Sequence, residues 1–503
     1  KLDELASALG SLSEPELATW HVLSLKRGER NHHSRRGFLL STEELATLWH
    51  LPVFSIHVPM LDVVQYRQLE PPVSLPDPRR EHGIVTLGRT NFRDHHRPFG
   101  LRPEDRRRHL YVVGKTGMGK STLLLNLLIA DIAAGRGCCL VDPHGDLAEA
   151  ILAQVPSRRT NDVVFFDAGD QRHPLAFNPL ANCAVEARPL VASGILTAFK
   201  KIWGDFFGPR MEHVFRNCLL ALLEIPGTSL VSLVQLLGDA RYRQSIVARL
   251  HDPVVRAFWL HEFAGMPAKL QAEAIAPIQN KVGQFVTSPL LRNILGQPRS
   301  TIDLRRIMDR QQILIINLSN GRMGEDASSL LGSLLITDLQ LAAMSRANIR
   351  EQDRVDFHLY VDEFQHFATG SFATILSEAR KYRLNLTLAN QYLAQMDNAT
   401  AAAVFGNVGS LLAFQVGAQD AEALAAQLGE PVSPQDMQTL PKYEAYTRLL
   451  IDGLPSRPFS MRTMPAGQRA DAGRSEIIRR MSQRRYARPV EEVAKTIEHA
   501  FNV

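Results

Sequence analysis

One segment of the chain carries the residue types that hold a nucleotide's phosphates. Residues 114–121 read GKTGMGKS, which matches the P-loop pattern G-x-x-x-x-G-K-[ST] at each fixed position. Glycines let backbone N–H groups close around phosphate oxygens, while a lysine neutralises their charge and a hydroxyl ligates Mg²⁺. An apolar strand before the loop and a helix after it are the context that the motif needs. The predicted nucleotide-binding residues are Gly114, Thr116, Gly117, Gly119, Lys120, Ser121 and Thr122.

A second motif supplies carboxylates from another strand. Residues 357–361 form an apolar run, and Asp362 and Glu363 follow it directly. Active sites of open α/β sheets lie at the carboxyl ends of the strands, so both acids are expected beside the P-loop. We predict that Asp362 binds Mg²⁺ together with Ser121, directly or through water, and that Glu363 orients and polarises the attacking water.

A third motif joins arginines to a further strand. The segment 377–383 reads SEARKYR and precedes an apolar run that ends at Asn390 and Gln391. Gln391 is the candidate sensor of the γ-phosphate, because a polar amide at a strand end next to the carboxylates can contact it. Arg380 or Arg383 could be an arginine finger offered to a neighbouring subunit's nucleotide. The alternative for either arginine is a salt-bridging surface residue.

The turn after a further apolar strand, 142–146 (DPHGD), leaves two interpretations open. His144 and Asp146 could line the nucleotide site or couple it to DNA. Aspartate, proline and glycine are also ordinary turn formers. No catalytic role is assigned here on the sequence alone.

The order of elements predicts an α/β fold with a RecA-like core. Continuous apolar runs suit a mostly parallel sheet that is buried on both faces by helices. Helical periodicity replaces the strand signal between the runs at 163–167 and 312–318, which indicates an inserted all-helical subdomain. A proline-rich passage at 71–78 is typical of a linker. The candidate strands are 83–88, 109–113, 138–142, 163–167, 312–318, 357–362, 385–390, 411–416 and 446–451. The predicted domains are a small N-terminal segment at 1–76, with a helix start at 41–44, a core at 83–184 and 306–465, a helical insert at 185–305 and a basic helical tail at 466–503.

Composition places the chain among ordinary globular proteins. It has 503 residues, of which 45% are hydrophobic and 22% charged, with a net charge of +5. The four cysteines, Cys138, Cys139, Cys183 and Cys218, show no disulfide or CxxC spacing, which favours a reducing compartment. No apolar run reaches the length of a membrane helix. We therefore predict a cytoplasmic chain without a membrane span of its own, although the chain begins at Lys1 and an upstream anchor stays open.

Basic residues form clusters that a DNA motor would use to contact phosphates. They lie at 106–108, 479–480 and 484–488, and two further arginines, Arg210 and Arg216, flank a helix start in the predicted insert. Each cluster is equally explained as a solvated face, and the pair in the insert could face a pore or a neighbouring subunit.

These motifs in this order resemble the FtsK/HerA superfamily of DNA-pumping ATPases, and within it the type IV secretion coupling proteins and related conjugation ATPases. The resemblance rests on GKTGMGKS at 114–121, VDPHGDL at 141–147, VDEFQ at 361–365 and EARKYRL at 378–384 followed by Asn390 and Gln391. It covers roughly residues 83–465 and implies a hexameric ring that binds ATP and Mg²⁺ at subunit interfaces and threads DNA through its channel. It places the trans-acting arginine at Arg380 and the sensor at Gln391. Coupling proteins usually carry N-terminal membrane helices, and this chain shows none.

Three functions follow as hypotheses. The first is an ATP-driven DNA translocase, with DNA, a hexamer of this chain and membrane-associated secretion or mobile-element proteins as partners. The second is a secretion ATPase that handles polypeptide or assembles a pilus. The third is a non-motor nucleotide switch in a larger complex such as a defence system, against which the intact Glu363 argues.

Overall fold

The computed structural model describes residues 41–43, 66–181, 183–204, 207–370, 372–467 and 472–501. The chain divides into two units, Lys1–Val63 and Val64–Val503. In the first unit only 41–43 are described, where residues 42 and 43 are helical at the predicted helix start; the rest of that prediction lies outside the described residues. All that follows concerns the second unit.

One large sheet organises the second unit. Its eleven strands run in the order β2-β1-β13-β10-β9-β3-β8-β7-β4-β6-β5, and β11 and β12 form a separate hairpin. The strands are β1 Val85–Thr90, β2 Pro98–Leu101, β3 Leu110–Val113, β4 Gly137–Asp142, β5 Val163–Asp167, β6 Ile313–Asn317, β7 Phe357–Val361, β8 Leu384–Asn390, β9 Ser410–Ala413, β10 Glu444–Arg448, β11 Leu450–Ile451, β12 Leu454–Pro455 and β13 Phe459–Thr463.

The half of the sheet from β9 to β5 is parallel throughout. Its inner strands β3, β4, β6, β7 and β8 are buried along their whole length, as expected for strands covered by helices on both faces. The fold class predicted from the apolar runs is confirmed. The other half, from β10 to β2, is antiparallel. The strand predicted at 446–451 is present as β10 and β11, which are interrupted at Leu449, and β10 pairs antiparallel with both of its neighbours.

Helices cover both faces of the sheet and fill the connection between β5 and β6. Those of five residues or more are α1 Lys120–Ala133, α2 Asp146–Leu152, α3 Arg188–Trp203, α4 Pro209–Glu224, α5 Leu230–Gly238, α6 Ala240–Ala248, α7 Pro253–Ala257, α8 Ala268–Thr287, α9 Pro289–Leu295, α10 Leu304–Asp309, α11 Glu325–Met344, α12 Phe372–Glu378, α13 Asn398–Asn407, α14 Ala418–Leu428, α15 Pro434–Gln438, α16 Ala472–Tyr486 and α17 Val490–Phe501.

Helix α11 is the apolar helix of the core. Of the described residues, only its segment Glu325–Asn348 is long and apolar enough to cross a membrane. Two-thirds of its apolar stretch (67%) is buried inside the protein, which is the environment of a core helix. It contacts α3, so it connects the sheet to the helices that follow β5.

The proline-rich passage differs from the predicted linker because it packs on the antiparallel half of the sheet. Leu75 and Asp77 are 2% and 1% exposed. Asp77 accepts hydrogen bonds from the Arg79 and Arg97 side chains. Leu69 N donates to the Ser460 hydroxyl at 2.8 Å. The passage therefore belongs to the sheet's edge.

Candidate nucleotide site

The P-loop connects the end of β3 to the start of α1. Gly117 and Gly119 take φ angles of 79° and 119°, which side chains with a Cβ rarely adopt. A Cβ on Gly119 would also approach the Tyr443 ring to 2.8 Å. Tyr443 N donates to Met118 O at 2.9 Å, so the antiparallel half of the sheet holds the loop in place. Tyr443 is a site residue that the motifs did not indicate.

The hydroxyl residues of the motif lie at the mouth of the loop. Thr116 and Ser121 are exposed and Thr122 is partly buried. Thr116 lines a cavity of about 610 Å³ that also contains Gln391. Thr122 lines a second cavity of about 490 Å³ on the other side, next to Tyr443. Open space therefore flanks the loop where a nucleotide must enter.

Lys120 is buried beneath the loop. It is 5% exposed, and its Nζ donates to Gly114 O at 2.7 Å and to Lys115 O at 3.3 Å. Burial lowers its pKa, and the nearby Glu363 and Asp362 carboxylates oppose that shift. The ammonium is held at the base of the loop, where phosphate oxygens would replace the carbonyls as its partners.

Asp362 follows β7 and is 5% exposed. Burial and the neighbouring charges of Glu363 and Asp142 together raise its pKa to about 6, although Lys120 opposes the shift. A buried cluster of carboxylates fits a hard divalent cation, which prefers oxygen ligands. The residues present thus suit Mg²⁺ held between Asp362 and the Ser121 hydroxyl.

Glu363 takes a left-handed conformation, with φ of 47°, and is 6% exposed. Both oxygens of its carboxylate accept hydrogen bonds. Oε1 accepts from Gln391 Nε2 at 2.9 Å, and Oε2 accepts from Gln365 Nε2 at 2.6 Å. Two amides thus fix the carboxylate at one orientation, which is how a water-polarising base is positioned. Gln365 is a second site residue that the sequence analysis did not single out.

The strand order explains why these residues meet. β8 lies between β3 and β7, so its carboxyl end places Gln391 between the P-loop and the two carboxylates. Gly114 N donates to Asn390 O at 3.3 Å, and the Tyr111 hydroxyl donates to Asn390 Oδ1 at 2.5 Å. The structure therefore brings Lys120 and Gln391 to the carboxylate pair, as the motifs predicted.

The 142–146 segment is explained by turn chemistry at Asp142. Its Oδ1 accepts from His144 N and its Oδ2 from Ala148 N, each at 2.9 Å. His144 and Asp146 are exposed and line a separate polar cavity with Arg322.

Arg380 lies at the amino end of β8, whereas its own P-loop lies at the carboxyl ends of the parallel strands. It precedes β8, whereas Gln391 follows that strand's seven residues, which span about 23 Å. Arg380 is exposed. Arg383 is partly buried, and its Nε has no hydrogen-bond partner among the described residues. The structure does not bring either arginine to the chain's own nucleotide site.

Several arginines of the basic clusters form ion pairs within the chain. Arg106 is 6% exposed and forms a bidentate pair with Asp131 at 2.8 Å. Arg107 pairs with Asp356, and Arg479 pairs with Glu149 and stacks on Phe165. Arg216 pairs with Glu212, while Arg210 is exposed. These ion pairs give Arg106, Arg107 and Arg479 structural partners within the chain, which favours a structural role for them over DNA contacts.

A lysine from the helices after β5 also reaches the site. Lys201 on α3 donates to Gln365 O at 2.6 Å and to Ala368 O at 2.5 Å. Burial lowers its pKa to about 8. It was not predicted, because a lone lysine in a helical segment carries no local signal of a contact 164 residues away.

Comparison with known proteins agrees with this geometry. A family described as the TraM recognition site of TraD and TraG matches residues 356–438. The type 4 coupling protein DotL of Legionella pneumophila is 22% identical over 445 residues, which cover 76% of this chain and 54% of DotL. The chain thus spans about half the length of this curated relative.

Solved structures share the fold. The plasmid coupling protein TrwB in complex with ADP and Mg²⁺ superposes with a TM-score of 0.58 at 15% identity, covering 82% of this chain and 97% of that one. VirB4 of Thermoanaerobacter pseudethanolicus gives 0.53 at 13% identity, covering 77% and 97%. The chain therefore has a RecA-like P-loop ATPase fold and resembles the type IV coupling proteins in both sequence and structure.

Proposed function

We propose that this chain is an ATP-driven DNA translocase of the coupling-protein type. The proposal rests on one observation. At the carboxyl ends of the parallel strands, the structure brings together Lys120, Asp362, Glu363 and Gln391. A protein that only binds a nucleotide would need no more than the P-loop and Lys120. A carboxylate fixed by two amides beside them is the apparatus of hydrolysis.

Each residue has a distinct part in the proposed reaction. The loop's N–H groups and Lys120 bind the phosphates of ATP. Ser121 and Asp362 hold Mg²⁺, which neutralises charge on the phosphate oxygens. Glu363 orients the attacking water and accepts its proton, while Gln391 connects that carboxylate to the P-loop and to the γ-phosphate position.

The proposed motor is a ring, most simply a hexamer. Arg380 is exposed and too far from its own P-loop to act there, so it serves a nucleotide only if a neighbouring copy contributes the loop. The proposal that DNA is the substrate is supported by the resemblance to TrwB and DotL, which are named as coupling proteins. The proposed partners are DNA, other copies of this chain and membrane-associated secretion proteins.

Steady-state ATP hydrolysis with and without DNA tests the proposal. We expect DNA to stimulate hydrolysis, and Lys120→Ala and Glu363→Gln each to lower kcat at least about 100-fold. Glu422→Gln, an exposed acid on α14, is the matched control and should retain activity.

A secretion ATPase acting on polypeptide is the second candidate. One observation favours it: Arg106, Arg107 and Arg479 are paired within the chain, which leaves fewer arginines for DNA phosphates. Hydrolysis that depends on Lys120 and Glu363 but ignores DNA would reject the translocase and support this candidate. Slow hydrolysis unchanged by Glu363→Gln would instead support a nucleotide switch.

A further inference from the structure

A large cavity lies away from the P-loop, where the helices after β5 meet the C-terminal helices. Its volume is about 1050 Å³. Helix α16 contacts β5, the edge strand, so β8, β7, β4 and β6 separate this region from β3 and the P-loop. The cavity is therefore distinct from the nucleotide site.

Four arginines from three parts of the chain line this cavity. Arg188 begins α3, and Arg299 lies in the segment between α9 and α10. Arg485 is in the last turn of α16, and Arg488 lies between α16 and α17. Residues from distant segments converge here, and of the four arginines only Arg485 and Arg488 lie in one of the basic clusters of the sequence, at 484–488.

Hydrogen bonds of the backbone and of the Asn178 side chain hold these segments together. Arg488 N donates to Pro174 O at 3.4 Å, and Leu175 pairs with Ala487 in an isolated bridge. Asn178 Nδ2 donates to Thr228 O at 2.8 Å and to Pro298 O at 3.2 Å. The cavity wall is thus built by the fold rather than by loosely placed side chains.

The described residues leave an excess of positive charge in the cavity. Arg188, Arg299 and Arg488 form no ion pair with any described residue, whereas Arg106, Arg107 and Arg479 are all paired. The Arg188 Nε is buried and has no hydrogen-bond partner among the described residues. Arg485 donates only to neutral Asn161 oxygens.

One carboxylate, that of Glu224, also lines the cavity, and the four arginines outnumber it. Glu224 accepts from the His251 Nδ1 at 3.1 Å and from the backbone N–H groups of His251 and Asp252. Like charges gathered in a concave site raise the local potential and attract anions. An unpaired buried guanidinium N–H is itself costly unless an acceptor arrives.

We propose that this cavity binds a small, multiply phosphorylated anion at a second site, separate from the P-loop. Guanidinium groups present paired donors that match phosphate oxygens, and several arginines favour more than one phosphate group. The volume is at the upper end of ordinary small-ligand sites, which suits a molecule of nucleotide size. Binding would bridge α3, the segment before α10 and the C-terminal helices.

Calorimetric titration with inorganic tripolyphosphate tests the proposal. The full chain carries Lys120→Ala and is kept free of metal, so that P-loop binding is weakened. We expect saturable binding in this background, with Arg299→Ser and Arg488→Ser each raising Kd about ten-fold. Arg457→Ser, an exposed arginine without a described partner, is the matched control and should leave Kd unchanged.

Thermal melts confirm that each variant is folded before its binding is compared. The proposal is overturned if no saturable binding occurs in the Lys120→Ala background, or if the two cavity variants bind as well as the Arg457→Ser control. A twenty-nucleotide single strand serves as the second probe. If the cavity arginines affect only its binding, and not that of tripolyphosphate, the surface belongs to a nucleic-acid path and the small-anion site is rejected.

Discussion

At the scale of single residues, the carboxylate of Glu363 is useful only if its orientation is fixed. Gln391 supplies one of its two hydrogen bonds, at 2.9 Å, from the end of the strand next to the P-loop. Gln391→Ala removes that bond without disturbing Lys120. We expect kcat to fall about 10- to 100-fold, while the Kd for ATP changes by less than about three-fold.

Single-turnover hydrolysis and direct nucleotide binding separate these two effects. Gln419→Ala is the matched control, because Gln419 lines the same cavity and is exposed. A loss of ATP affinity equal to the loss of kcat would show that Gln391 binds the nucleotide rather than positions Glu363.

A second residue-scale prediction concerns acid stability. His109 is 1% exposed; its Nε2 lies 3.2 Å from Leu376 O, and its Nδ1 accepts from Leu386 N at 3.1 Å. Burial lowers its pKa from 6.5 to about 4, so between these values the unfolded chain binds the extra proton. The free energy of unfolding should therefore fall by about 3 kcal/mol through this group as pH drops from 6.5 to 4.

Urea denaturation across that pH range measures the effect. His109→Asn, chosen because asparagine tolerates the left-handed φ of 67° at this position, should make the pH dependence shallower. The exposed His82→Gln should leave the slope unchanged. Equal slopes for the native chain and His109→Asn would contradict the assignment.

At the scale of elements, sequence patterns predicted what is local. The P-loop and the two strand-end motifs depend on a few adjacent residues, and the structure places Lys120, Asp362, Glu363 and Gln391 together. The edge strand β2 and the internal strand β13 were not predicted, since β2 has only four residues and polar residues interrupt the apolar ones in β13. The pairing of β13 with β10, the strand that follows Tyr443, depends on contacts between residues far apart in the sequence.

The basic clusters also show how little can be concluded from neighbouring residues in the sequence. Three arginines in a row at 106–108 look like a phosphate-binding patch when only neighbours in sequence are visible. In the structure Asp131, from the far end of α1, neutralises Arg106. Charge clusters are thus interpretable only once the opposite charges that tertiary structure brings to them are known.

Helix α3 is an element that connects the helices after β5 to catalysis. Its Lys201 holds the carbonyls of Gln365 and Ala368, and the Gln365 amide holds Glu363. Lys201→Met would leave both carbonyls without this donor. We expect kcat to fall about ten-fold with little change in KM, because charge-assisted hydrogen bonds of about 1.5–3 kcal/mol keep the loop in place.

Lys200→Met is a close control, since Lys200 is the adjacent residue on α3 and pairs on the surface with Glu212 at 3.4 Å. Steady-state kinetics on both variants measure the difference. If Lys201→Met and Lys200→Met behave alike, the contact is not used to position the carboxylate.

At the scale of the whole molecule, the proposed composite site needs two copies of the chain, because the nucleotide residues and Arg380 lie at opposite ends of the parallel strands. The nucleotide residues follow the carboxyl ends of β3, β7 and β8, whereas Arg380 precedes β8. Only a neighbouring copy can therefore offer its Arg380 to a given P-loop. An arginine finger of this kind contributes a factor of about 10³ or more to kcat.

Mixing two inactive variants tests this arrangement. Arg380→Ala retains an intact P-loop, and Lys120→Ala retains an intact Arg380, so each alone should be nearly inactive. Co-assembled rings contain interfaces that join the intact P-loop of one variant to the intact arginine of the other. We expect such mixtures to recover up to about a quarter of native hydrolysis if neighbours assort at random, because both intact parts must meet at one interface. Lys381→Ala, the exposed neighbour, should be active on its own. No recovery on mixing, with ring assembly verified by light scattering, would show that Arg380 does not complete a neighbour's site.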